Sequence, residues 1–305
     1  MIYLLDNDNL QSISIEDIKT AGDKPQLFII NFKELQSISC TLGINEKIVN
    51  ECLLSKISKF ESHEGFDFIV LNIPGEIEKL KIAQRVCLYF TDKMLVFVCD
   101  SNAVICDILQ NIEEDEINNI SLGKIMHLFF DRLTFDDSIE LEIFEQEISN
   151  LEEELIVSKN SDFVFLASYR KKLLTLKLYY EQLLEIYEAI ELNENGLIDK
   201  KELRYFKILS SRANRLYNGV LNLRDYVTQV REAFQTQIDI NLNSVMKVFT
   251  VITSVFFPLT LIVGWYGMNL RMPEFDWQQG YLFVIGISLA AAAATLFYFK
   301  KKKWF

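Results

Sequence analysis

Two long runs without one charged side chain constrain this chain most: VFTVITSVFFPLTLIVGWY at 248–266 and GYLFVIGISLAAAAATLFYF at 280–299. Nineteen and twenty residues of helix rise about 28–30 Å, the thickness of a bilayer's hydrocarbon core. Both are read as transmembrane helices. The alternative is a pair of helices buried in a large soluble core, which usually keep a more polar face.

Charge orients the pair. Lys300, Lys301, Lys302 and Lys303 follow the second run at once, whereas the turn between the runs holds only Arg271 against Glu274 and Asp276. By the positive-inside rule the lysines form a basic ring on the cytoplasmic side. Two spans then place the large N-terminal part in the cytoplasm as well, with only residues 267–279 outside. The beginning, MIYLLDNDNLQS, lacks the basic region and sustained apolar stretch of a signal peptide. Cys40, Cys52, Cys87, Cys99 and Cys106 have no metal-like spacing and are read as reduced core thiols.

The net charge of −12 is unevenly placed. Within 131–154, ten acidic residues face the single Arg132, a net −9. This argues against a nucleic-acid partner and allows a cation-attracting surface; a solvated helix face is the plainer reading.

Residues 1–120 form the cytoplasmic α/β domain, with strand-like runs at 28–32, 66–73, 86–90 and 95–98 and a helix-compatible stretch at 44–58. CLYF-TDKM-LVFV reads as a hairpin. From about residue 102 onward the β signal disappears, and helices are expected near 103–116, 121–157 and 162–192. Residues 121–244 make a helical region that includes the start of a long stalk helix. The first, pore-lining span is 245–266, the external loop 267–279, the second span 280–299 and the basic tail 300–305. The fold class is α+β, a mixed sheet with helices followed by a coiled-coil-like stalk helix and two C-terminal transmembrane helices.

Leu209, Ala213, Leu216, Val220, Leu223, Val227, Val230 and Phe234 repeat at alternating spacings of four and three, a heptad seam. No Pro interrupts the chain between Pro74 and Pro258. One helix from Lys200 to Tyr266 is therefore expected, roughly 100 Å long. A seam cannot be buried by one helix, so neighbouring helices or further copies of the chain must cover it, and oligomerisation is expected. Toward the membrane a second stripe takes over at the same spacing: Asn243, Met246, Thr250, Thr253, Phe257, Thr260 and Gly264. Polar groups at bilayer depth usually face protein or water, so the stripe reads either as a pore lining or as small residues that let helices pack. The second span has no such stripe and reads as a supporting helix facing lipid.

Residues 191–202, ELNENGLIDKKE, approach an EF-hand loop, with Glu191, Asn193, Asn195, Gly196, Asp199 and Glu202 at ligand or turn positions. A Glu where the shorter Asp is needed, and two neutral Asn ligands, favour a polar helix connection instead. His63 and His127 are the only histidines, and no HExxH, GxSxG or phosphate loop occurs. Hydrolytic and redox chemistry have no visible machinery, no organic cofactor is expected, and any transport must be driven by a gradient.

The stretch VMKVFTVITSVFFPLTLIVGWYGMNLRMPEFDW closely resembles the membrane segment of the CorA family of magnesium channels, and the likeness extends through Pro258, Thr260, Met272-Pro273-Glu274 and the terminal KKKKWF. Tyr266, Gly267, Met268 and Asn269 match the family signature. The resemblance implies a homopentamer whose first spans surround one pore, with the Gly-Met-Asn turns as outer mouth and selectivity filter and Asn269 meeting the incoming ion. It implies magnesium as the main ion, transported and regulatory, with cobalt and nickel as further ions, and a cell-membrane setting among lipid. By position, Met246 and Phe257 match apolar constrictions, and Glu274 and Asp276 would attract cations outside. Two departures follow: Ile208 stands where relatives carry a stalk Asp that senses magnesium, and Phe257 where some have Met. The regulatory metal site is thus left unassigned, with the acidic 131–154 segment as one place for it. A zinc transporter on this fold and a membrane-anchored coiled-coil scaffold remain as alternative readings.

Overall fold

The computed structural model describes residues 1–6, 9–13, 24–75, 82–101, 103–114, 120–157, 164–269, 272–273 and 277–304. It divides into two compact units, Met1–Gln229 and Val230–Phe305. The architecture is α+β: a mixed sheet with helices, one long helix, and two C-terminal apolar helices.

The first unit opens with strands β1 (Ile2–Asp6), β2 (Asn9–Ser12) and β3 (Gln26–Ile30), then helices α1 (Phe32–Leu42) and α2 (Glu46–Leu54). Strands β4 (Lys59–His63), β5 (Phe66–Pro74), β6 (Ile82–Phe90) and β7 (Met94–Cys99) follow. Their spatial order is β2-β1-β3-β7-β6-β5-β4. Only the β3–β7 pair is parallel, joining two antiparallel halves. The expected hairpin is present as β6 and β7, with Phe90 opposite Leu95.

Side chains alternate across the sheet, so neighbouring strand residues serve different cores. Phe28, Ile30, Phe68, Val70, Cys87, Val96 and Val98 cluster with Leu35, Ile48, Val49 and Cys52 of α1 and α2. On the opposite face Phe97 meets Phe129 edge-on at 5.1 Å. Burial on both faces explains why the central strands read as unbroken apolar runs.

Three expectations need correction here. The strand expected at 28–32 ends at Ile30, because Asn31 caps α1: its side chain accepts from the Lys33 amide at 3.1 Å, and Glu34 completes a capping box. The single helix expected over 121–157 is two, α4 (Leu122–Leu133) and α5 (Asp137–Val157). The break occurs at buried Thr134, beside which the Arg212 guanidinium donates to the Asp131 carboxylate at 2.8 Å. Cys52, Cys87 and Cys99 are core thiols as read, but Cys40 is exposed and Cys106 only half-buried.

Helices α3 (Ala103–Glu114) and α6 (Val164–Leu192) complete the first unit together with the start of α7 (Lys200–Tyr266). The heptad seam is covered by the chain's own helices. Leu209, Ala213, Leu216, Val220, Leu223 and Val227 are buried. A Cβ on Gly219 would lie 3.4 Å from Leu141, Tyr226 donates to Glu152 at 2.6 Å, and Lys177 sits over the Tyr217 ring. Within this unit the seam therefore offers no surface for further copies.

That unit contains the rest of α7 and α8 (Gly280–Lys301). Their most apolar stretches are 0% and 6% buried, which excludes the reading as core helices of a soluble domain. Pro258 lies inside α7, where its missing N–H is tolerated within a membrane-depth helix.

Candidate functional site

α7 has two different faces over its apolar length. Val251, Ser254, Val255, Pro258, Leu259, Ile262 and Tyr266 are half-buried, and within this unit α8 is the helix available to cover them. Asn243, Met246, Thr250, Thr253, Phe257, Thr260 and Gly264 are all exposed. At 100° per residue the centres of the two sets lie roughly 150° apart around the helix. The stripe singled out in the sequence thus lies opposite the half-buried positions, on an exposed surface that also carries Phe249, Ile252, Phe256 and Val263.

α8 also has two faces. Val284, Ser288, Ala291, Ala292 and Thr295 are its less exposed positions, a small-residue face of the kind that lets helices approach closely. Their spacing of four, three, one and three was the signal available in the sequence. Tyr281, Leu282, Leu289 and Phe297 remain exposed, as a lipid-facing surface requires.

The threonine hydroxyls of the stripe bond to their own helix. Thr250 donates to the Met246 carbonyl at 2.7 Å, Thr253 to Phe249 at 2.8 Å and Thr260 to Phe256 at 2.9 Å. Each hydroxyl proton is satisfied internally, so what the exposed face presents is oxygen lone pairs. Met246 and Phe257, 62% and 69% exposed, are large apolar groups on the same face.

α7 ends at Tyr266, and the chain turns through Gly267, Met268 and Asn269. The Gly267 amide donates to the Val263 carbonyl at 2.8 Å, and the Met268 amide to Trp265 at 3.3 Å. A Cβ on Gly267 would lie 2.8 Å from that same Val263 oxygen, a backbone atom that cannot move away alone. Only glycine fits this close approach. Asn269 is exposed directly beyond it. A pocket of about 490 Å³ lies behind the turn, lined by Tyr266, Gly267, Trp277, Gly280 and Tyr281 among others. Glu274 and Asp276 lie outside the described residues, as does Arg271. Lys300, Lys301, Lys302 and Lys303 are exposed at the end of α8.

The EF-hand-like loop directs its polar groups elsewhere. Asn193 turns back on its own loop, donating to the Ile198 carbonyl at 2.8 Å and accepting from its amide at 3.2 Å. The Asn195 amide reaches the β4–β5 hairpin: Ser62 Oγ at 2.9 Å, the His63 and Phe66 carbonyls at 2.7 and 3.2 Å, and Asp67 Oδ1 at 2.8 Å. Asp199 caps α7 by accepting from the Lys201 amide, and Glu202 accepts from Ser121. This is a helix connection docked on a hairpin.

The acidic segment is partly engaged as well. Asp131 pairs with Arg212, Asp136 with Arg132, and Tyr180, Tyr169 and Tyr226 donate to Asp137, Glu147 and Glu152. Burial pushes the Asp137 carboxyl up to about 6, against the hydrogen bond from Tyr180. Among the described residues no three His, Cys, Asp or Glu side chains are grouped to hold a metal ion. Ile208, at the place of the family's stalk Asp, is exposed.

A mixed α/β domain, one long helix running into the first of two C-terminal candidate spans, and a short turn between those spans define a two-span membrane protein. The chain belongs to the CorA family: residues 31–301 match the family described as "CorA-like Mg2+ transporter protein". It is 27% identical over 278 residues to the cobalt/magnesium transport protein CorA of Thermotoga maritima, covering 88% of this chain and 79% of that one. A shorter match, 36% over 98 residues, joins 32% of this chain to 30% of the magnesium transport protein CorA of Helicobacter pylori. Among solved structures, the CorA magnesium transporter of Methanocaldococcus jannaschii superposes over 100% of this chain and 99% of its own with a TM-score of 0.79 at 19% identity. The full-length CmaX protein gives the same TM-score, 0.79, at 14% identity over 99% of this chain and 97% of its own. At such identities the structural likeness speaks for the fold alone.

Proposed function

We propose that this chain is the subunit of a homopentameric channel that admits magnesium passively, driven by the membrane potential, with cobalt and nickel as further permeant ions. Both termini lie in the cytoplasm, and residues 267–279 form the outer mouth. Five copies of α7 surround the path, each turning its exposed stripe inward while α8 stands behind it toward lipid. The observation that carries this reading is the opposition of faces on α7. The mostly polar or small stripe is centred opposite the half-buried positions of the span, on an exposed surface that also carries Phe249, Ile252, Phe256 and Val263, and polar groups at bilayer depth require protein or water against them where apolar ones can face lipid.

The chemistry suits a hydrated ion. Magnesium gives up its water reluctantly, so neutral oxygens that hydrogen-bond its hydration shell can select it without stripping it. A ring of Asn269 amide oxygens supplies the first such contact. The threonine oxygens, their protons already donated to α7 carbonyls, accept from the same shell further in. Met246 and Phe257 form apolar constrictions that close by dewetting. Glu274 and Asp276 raise the cation concentration outside, and the lysine ring marks the inner face. No residue is assigned a part in hydrolysis, and the gradient alone supplies the driving force.

The test is magnesium entry into liposomes holding the purified chain, under an inward gradient with a negative interior. Entry in the wild type that falls by an order of magnitude or more in Asn269→Ala is expected. Absence of entry in the wild type would overturn the proposal, and unchanged entry in the variant would overturn the role of Asn269.

A further inference from the structure

The four lysines after the second span do not trail off as a loose tail. Lys303 adopts the left-handed conformation, φ +54°, at the position after the helix where glycine is usual. The Lys303 amide donates to the Lys300 carbonyl at 3.1 Å and the Trp304 amide to the Phe299 carbonyl at 3.2 Å. The five-residue reach from Trp304 to Phe299 is the Schellman closure, and its usual apolar contact is present, with the two rings 5.2 Å apart. Phe299 is buried by this contact while Trp304 stays 37% exposed. Lys302 Nζ lies 6.0 Å from the Tyr298 ring centroid.

Folding back in this way holds four consecutive ammonium groups at the end of the span. All four are exposed, and none makes an ion pair with a carboxylate among the described residues. Positive-inside insertion needs the charges but not the order. A residue with a side chain in the left-handed conformation is strained where glycine would not be, and here it adds the fourth cation. Trp304, apolar on one side and half wet, is a side chain suited to headgroup level. Ammonium groups at that level meet lipid phosphates, which they bind as point charges.

We propose that Lys300–Lys303 with Trp304 form a binding site for anionic glycerophospholipid headgroups, selecting them over zwitterionic ones. The site rests on the two-span membrane reading and not on ion conduction. Each lysine that reaches the headgroup layer is worth roughly fivefold in affinity for an anionic surface.

The test uses the full chain with Trp265→Phe and Trp277→Phe, so that Trp304 is the sole tryptophan. It is reconstituted in phosphatidylcholine vesicles containing increasing fractions of either brominated phosphatidylglycerol or brominated phosphatidylcholine. Half-maximal quenching of Trp304 is expected at a several-fold lower fraction of the glycerol lipid. That preference is lost when all four lysines are changed to Gln, kept when all four are changed to Arg, and reduced by high salt. Equal quenching by both lipids, or a preference that survives the Gln changes, overturns the proposal. Both leaflets have the same composition and no ion gradient is applied, so the outcome is independent of orientation and of flux. The conduction proposal is scored in vesicles without anionic lipid, and each can fail without the other.

Discussion

The turn after α7 offers the sharpest perturbation, because two glycines close together in sequence meet opposite surroundings. A Cβ on Gly267 would lie 2.8 Å from the Val263 carbonyl oxygen, whereas one on Gly264 meets nothing within 4 Å. The Gly267 contact is about half an ångström inside an ordinary carbon–oxygen approach, and the oxygen belongs to the helix backbone that also accepts the Gly267 amide. Relief therefore means shifting the turn or breaking its first hydrogen bond. Overpacking of this kind costs about 1–3 kcal/mol. Converted at 1.4 kcal/mol per decade, Gly267→Ala leaves the native turn roughly 5- to 150-fold less favoured over its displaced forms. If that turn positions Asn269, magnesium entry into liposomes falls over the same range. Gly264→Ala keeps the turn intact, and its protein unfolds at the wild-type temperature or slightly above, since alanine is the better helix former. Wild-type flux together with an unchanged unfolding midpoint in Gly267→Ala would refute the close-approach argument. Equal destabilisation by the two substitutions would refute it as well.

Other consequences follow from single side chains. Asn243→Cys and Thr260→Cys are expected to react with water-soluble thiol reagents in the open channel, while Ser254→Cys, on the half-buried side, stays inert; labelling followed by mass spectrometry decides, and inertness of both stripe positions counts against the pore face. Burial holds the His127 imidazole below its ordinary pKa, where it packs on Tyr205 and Phe206. The unfolded chain then binds a proton that the fold does not, so the His127 contribution to stability is full above about pH 6.5 and falls as pH drops below it, by at most about 1.4 kcal/mol per unit, while Asp137, raised to about 6, contributes in the opposite sense. Thermal unfolding of the full chain at two pH values should show a shallower slope in His127→Gln. Asn195→Ala strips the buried Asp67 carboxylate of one of its two donors and costs about 1–3 kcal/mol. Calcium at millimolar levels is expected to give no binding heat with the wild type, because Asn193, Asp199 and Glu202 already spend side-chain oxygens on protein donors and Asn195 is held on the hairpin.

Much of this plan is legible in the chain itself because it depends on local quantities. The length and apolarity of 248–266 and 280–299 are enough to mark two spans, and the uninterrupted pattern from Lys200 to Tyr266 fixes one helix whose observed ends coincide with the expected ones. Turn chemistry between β6 and β7 likewise acts over a few residues. The stripe of Asn243, Thr250, Thr253 and Thr260 could be seen as a face by its spacing, as could the Gly-Met-Asn turn by its residues.

Spacing does not say what lies opposite a face, and there the tertiary structure decided. The seam from Leu209 to Val227 is equally suited to another copy or to α5 and α6, and only packing reveals that the chain's own helices cover it. At the Thr134 break the Arg212 guanidinium, 78 positions away, reaches Asp131 and the Thr134 hydroxyl, a contact that no local pattern contains. The EF-hand-like loop has a plausible order of ligands, yet Asn195 is drawn to a hairpin more than 120 residues distant. The two sides of α7 differ in the same way: Ser254 and Pro258 are half-buried while Thr250 and Thr260 are bare. The physical reason is common to these cases: periodicity and propensity act within a few residues, whereas burial of a face is a relation between segments that meet only when the chain has folded.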